Sequence, residues 1–203
     1  MKKTVLSILV IACVAIFSAC GSKSTSAAGE NTESESITVD EVLADADRYV
    51  GDTITVEGVC SHLCAHGAMK AFIAGSSDTV ILRCEANPHM GEPFPVRLVR
   101  RKVQIKGILA EQRLDSAAVD NMEEQYKAAL AEAEAEGKNE TETGHKGGAC
   151  ATERTAHGQA KITDFNARME DYRQKIAARN QKEGKPYLSF YYLEAVSYDM
   201  LPE

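Results

Sequence analysis

The clearest alternation of apolar and polar positions runs through Thr53-Ile54-Thr55-Val56-Glu57-Gly58-Val59-Cys60, rich in β-branched side chains. A period of two predicts a strand with one buried face, entered from the Gly51-Asp52 turn. Ahead of it, Val39, Val42, Leu43 and Ala46 recur at helical spacing behind Thr38, an N-capping residue, which predicts a short helix over 39–48. Lys70 to Ala74 and Thr79 to Cys84 read as two more strands around a Gly75-Ser76-Ser77-Asp78 turn. Pro88, Gly91, Pro93 and Pro95 mark 87–95 as a loop, and Lys102 to Glu111 resumes the alternation as a fourth strand. The period then lengthens. Asp115 or Ser116 caps a helix with Met122, Tyr126 and Ala133 on one face, and Thr163 or Asp164 caps another with Phe165, Met169, Tyr172 and Ile176. Each has a single apolar stripe, so together they predict an αα-hairpin that packs stripe to stripe or onto a sheet. Tyr187 to Met200 is a fifth strand.

The chain begins differently. Lys2 and Lys3 precede an apolar run from Val5 to Phe17, too short for the roughly 20 apolar residues of a bilayer span. Phe17-Ser18-Ala19-Cys20, followed by Gly21-Ser22, resembles the lipobox of bacterial lipoproteins, with Phe17 in place of the usual aliphatic residue. The resemblance implies a signal peptide over 1–19, cleavage before Cys20, and acylation of Cys20. Several acyl chains on one cysteine anchor a protein to a membrane far more firmly than one. Ser rather than Asp at 22 points to the outer membrane, with the domain facing the periplasm. Residues 20–36 continue as Ser, Thr, Ala, Gly and Glu without large apolar side chains, a composition that predicts a flexible tether.

The remaining 37–203 reads as mostly β with an α insertion: a five-stranded, OB-fold-like barrel with the αα-hairpin, about 115–185, between strands four and five. The resemblance to an OB-fold covers roughly 38–114 and 186–201. The chain also resembles a group of small bacterial lipoproteins that join a Thr-Val-x-Gly strand to a His-x-Cys-x-His segment, then a helical insertion and a Tyr-rich last strand. The matching residues are Thr55-Val56-Glu57-Gly58, His62-Leu63-Cys64-Ala65-His66 and Tyr187 to Tyr198. That resemblance implies a fold and a location, and no activity.

Charge and cysteine content narrow the function. The formal charge of -7 becomes -9 once Lys2 and Lys3 leave with the leader, which disfavours nucleic acid as a partner. The membrane, through Cys20, and another envelope protein are the expected partners. Of six cysteines, Cys60, Cys64, Cys84 and Cys150 remain after Cys13 and Cys20 are set aside. They allow two disulfides or a metal site. Cys60, His62, Cys64 and His66 fall at every second position, so a continued strand would project all four from one face, roughly 6.5–7 Å apart. Imidazole and thiolate suit zinc or reduced copper. His62, Cys64 and His66 form the tightest candidate set, to be completed by Cys60, Cys84 or Cys150; His145, His157 and the His89-Met90 pair are further candidates. The competing reading buries Cys60 in the core or joins Cys64 to Cys150 or Cys84 by disulfides. Motifs for a nucleophile elbow, a zinc protease or a phosphate loop are missing from the sequence, so the expectation is a non-enzymatic binding module.

Overall fold

The structure is a computed structural model that describes residues 36–65, 67–86, 89–137 and 149–202. The expected signal peptide, Cys20, the expected tether up to residue 35, His66 and His145 lie outside the described residues.

Thr38 opens α1 (Val39–Ala44) with a reciprocal capping box: its hydroxyl accepts the Glu41 N–H while the Glu41 carboxylate accepts the Thr38 N–H. Val39 and Val42 are thereby turned into the core. The helix expected to reach 48 stops at Ala44. Asp45, with φ −141°, breaks it and a single 3₁₀ turn follows. Just before α1, the two-residue β1 (Ile37–Thr38) lies parallel to β2 (Thr53–Leu63).

Five strands close on themselves. β2 pairs with β3 (Lys70–Ala74), β3 with β4 (Ile81–Glu85), β4 with β6 (Tyr187–Met200), β6 with β5 (Lys102–Asp115), and β5 returns to β2. All these pairings are antiparallel except β4–β6, which is parallel, so the result is a closed, mixed five-stranded barrel with β1 outside it. Leu63, Ala71, Cys84, Leu193 and Leu109 are successive cross-strand neighbours around the interior, joined there by Val56, Cys60, Ile73, Leu82 and Ile105. Gly58 lets β2 and β3 approach closely: a Cβ there would sit 2.6 Å from both the Ala74 carbonyl oxygen and Ile73 Cγ2.

β5 and β6 outrun the barrel, pairing as far as Asp115 with Tyr187, so the fourth strand ends four residues beyond the expected Glu111. This projecting ribbon carries the inserted helices. α2 (Ser116–Ala135) is capped by Asp115, whose carboxylate accepts the Ala118 N–H. The six-residue α3 (Ala151–Ala156) is followed by α4 (Phe165–Glu183), capped by Asp164 and stopped by Gly184 at φ +68°. Leu114, Val119, Phe165, Met169, Tyr172 and Ile176 form a second apolar cluster, against which Leu188 and Phe190 of β6 pack. Arg173 ties α4 to α2 through Asp120 at 2.6 Å and Glu123 at 2.7 Å.

Candidate functional site

The expectation that Cys60, His62, Cys64 and His66 share one face fails at Ser61. The register shifts between Cys60, opposite Ile73, and His62, opposite Phe72. Such a β-bulge inserts one residue and exchanges faces. Cys60 therefore points into the barrel, fully buried, with its Sγ 3.8 Å from the His62 carbonyl, while His62 lies outside against the Phe72 ring at 5.8 Å. Cys64 falls past the end of β2, its N–H donating to the Lys70 carbonyl at 2.9 Å. Cys84 is buried in the interior, where burial first and Cys60 second push its thiol up; burial takes Cys60 to about 11. Cys150 is the N-cap of α3, with its sulfur accepting the Glu153 N–H at 3.4 Å. His89 faces Glu194 at 3.3 Å. No disulfide joins any two of Cys60, Cys64, Cys84 and Cys150 in the structure, so it does not contain the pairings considered among them. Among the described residues, no group of three or more His, Cys, Asp or Glu side chains is arranged to hold a metal.

What the bulge brings together is different. The outer face of the barrel carries His62, Phe72, Arg83 and Tyr192 as a lateral row, with Lys70, Glu85 and Glu194 in the next. Over this face lies α3. Six residues are too few for a helix to persist alone, and none of them is buried, so its position rests on tertiary contacts. Glu153 provides them, accepting from Lys70 Nζ and Arg83 Nη1, each at 3.3 Å. Burial alone would raise the Glu153 carboxyl, but Lys70 and Arg83 outweigh it and hold the group below its ordinary range. Arg83, 9% exposed, also reaches Glu85 at 3.1 Å and Gln112 at 2.9 Å, and stacks 4.8 Å above the Tyr192 ring. One turn along α3, His157 stacks on Phe190 with centroids 4.1 Å apart and bonds the Tyr172 hydroxyl through Nδ1 at 2.7 Å. Burial pushes this imidazole down to about 4, against the pull of Glu153, so it is neutral at physiological pH.

Between the outer face and the helices lies a cavity of about 670 Å³. Lys70, Arg83, Glu85 and Tyr192 form its floor, Leu114, Gln112 and Phe190 the ribbon wall, and Glu153 and His157 the edge under α3. Met122 and Tyr126 of α2, with Phe165, Arg168 and Tyr172 of α4, close the far side. Tyr126 and Phe165 stack at 4.0 Å. A smaller cavity of about 140 Å³ on the other flank of α3 shares Arg83, Glu153, His157 and Phe190.

Most of these residues escape a search for metal ligands. The legible signal was Arg168, an arginine three residues after Phe165 and four before Tyr172, squarely on the apolar stripe of its helix. Glu153 and His157 carried a weaker one, four residues apart in a polar stretch.

Fold and site together define a small closed β-barrel with a helical cap over a cavity lined by both charge and aromatic rings. Comparisons with protein-family models, with curated proteins and with solved structures find no match to this chain. No helix among the described residues is long and apolar enough to cross a membrane.

Proposed function

We propose that this chain is a lipid-anchored envelope lipoprotein that binds a small molecule, without transforming it, in the cavity between its barrel and its helical cap. The carrying observation is the cavity itself. Its volume of about 670 Å³ falls within the roughly 300–1,000 Å³ typical of small-molecule sites, and its walls combine apolar and aromatic surface with charged groups.

The barrel is best read as an OB-fold. Supporting that reading are the cyclic strand order β2-β3-β4-β6-β5 and the one parallel pairing, β4 with β6. OB-folds commonly take ligands on the face of their second and third strands, beside the connection between the fourth and fifth. Those are β3, β4 and the helical insertion here, the elements that wall the cavity. This is analogy of fold, and the cavity residues carry the argument. Lipidation at Cys20 and an outer-membrane position rest on the N-terminal sequence. We assign Cys60 and Cys84 to barrel packing and Cys150 to capping α3, in place of a zinc or copper site.

The test is thermal unfolding of the full chain against a panel of small metabolites, beside a Met122→Trp variant that fills the cavity. A ligand present at a hundred times its Kd stabilises by about 2.7 kcal/mol, a rise in Tm of several degrees for a chain of this size. Stabilisation seen in the wild type and lost in the variant is the expected result. Equal stabilisation of both, or of neither by any compound, would overturn the proposal.

A further inference from the structure

Resting on that reading of the cavity, we infer that its ligand is an organic acid: an apolar or aromatic body ending in a carboxylate that pairs with Arg168. The argument is a charge balance along the wall. Among the described residues, six ionised side chains line the cavity: Lys70, Arg83, Arg168, Glu85, Glu111 and Glu153. Lys70 and Arg83 are matched by Glu85 and Glu153. Glu111 is matched from outside the cavity by Arg113 at 2.9 Å and accepts the Ser189 hydroxyl at 2.6 Å.

Arg168 alone is left over. It is 3% exposed, yet among the described residues it enters no ion pair. Its hydrogen-bond partner is neutral: Nε donates to Gln159 Oε1 at 3.1 Å, with the Tyr172 hydroxyl close by. Gln159, 1% exposed, is fixed in turn, its amide donating to the Arg168 carbonyl at 3.0 Å and to Asp171 at 2.7 Å. Gln159 thus fixes the guanidinium at the cavity wall, where its positive charge has no ion-pair partner among the described residues. A buried charge without a counter-ion is unfavourable, and a planar guanidinium matches a carboxylate with two parallel hydrogen bonds. Beside the paired charges, the cavity wall carries apolar and aromatic side chains: Met122, the Tyr126–Phe165 stack, Leu114 and Phe190. A carboxylate on a body of that character satisfies both halves of the cavity.

Isothermal titration of the full chain with 4-phenylbutyrate and its uncharged counterpart 4-phenylbutan-1-ol tests this. The acid should bind the wild type at least about tenfold more tightly than the alcohol, the scale of a buried charge-assisted hydrogen bond. Arg168→Gln should abolish that preference with little effect on the alcohol. Arg168→Lys, which keeps the charge without the fork, should retain part of it and covers a Gln variant that fails to fold. Acid and alcohol bound equally by the wild type, and both lost in Met122→Trp, would overturn the acid assignment while leaving the cavity reading intact. Acid binding unchanged by Arg168→Gln would also overturn it. Binding of neither compound, or binding that survives Met122→Trp, would count against the acid and the cavity together.

Discussion

Protonating His157 should unfasten the helical cap. In the folded protein the imidazole is stacked on Phe190, bonded to Tyr172 and shifted down to about 4, whereas an unfolded histidine titrates near 6.5. The unfolded chain therefore takes up a proton that the folded chain refuses. The associated stability is fully present above pH 6.5 and is lost as pH falls toward 4. A difference of about 2.5 pH units at 1.36 kcal/mol each is roughly 3 kcal/mol, which the ring's partial exposure reduces to about 2–3 kcal/mol. Urea unfolding followed by circular dichroism, repeated at intervals between about pH 7 and pH 4, measures it. His157→Phe keeps a ring to stack on Phe190 and has nothing to protonate, so its stability should stay nearly flat across that window. Glu153 cannot imitate the effect, because its depressed carboxyl loses its contribution only below about 4.5. If wild type and His157→Phe lose stability in parallel between 6.5 and 4, the reasoning is wrong and the proton is taken up elsewhere.

Two further outcomes follow from the barrel. Gly58→Ala would place a methyl group 2.6 Å from the Ala74 carbonyl oxygen and from Ile73 Cγ2, and backbone cannot step aside cheaply. It should destabilise by about 1–3 kcal/mol in a urea titration, and an unchanged midpoint would mean that β2 and β3 are not so closely apposed. Thiol labelling of the native chain, mapped by mass spectrometry, should modify the half-buried Cys64 and Cys150 and spare Cys60 and Cys84 until urea is added, since burial both shields these two and keeps them protonated. Prompt labelling of Cys84 would contradict its place in the interior.

The sequence carried the regular parts well, because periodicity is a local property. Lys70 to Ala74 and Tyr187 to Met200 form strands within the expected limits, and Thr38, Asp115 and Asp164 cap the helices they were expected to cap. What it concealed depends on partners distant in the chain. The bulge at Ser61 is visible only from the pairing with β3, and it alone separates His62 from Cys60. α3 has neither the length nor the apolar stripe to announce itself, being held by Glu153 against a strand 70 residues away. β5 runs past Glu111 because β6 offers it partners as far as Tyr187, although Gln112-Arg113 shows no strand preference of its own. Arg168 is legible locally, as a charge on the apolar stripe of its helix. The regular Cys and His spacing, by contrast, marks a face that the backbone does not present.

The cross-strand pairing of Asp115 with Tyr187 has an evolutionary corollary. The inserted segment leaves and rejoins the projecting β5–β6 ribbon at two paired residues, roughly 5 Å apart. The barrel thus holds the insertion like a socket. Along the chain the closed strands register only a hairpin connection there, and Glu153 on Lys70 and Arg83 is what ties the insertion back to them. The side chains that the helices present can therefore change while the strand pairing beneath stays fixed.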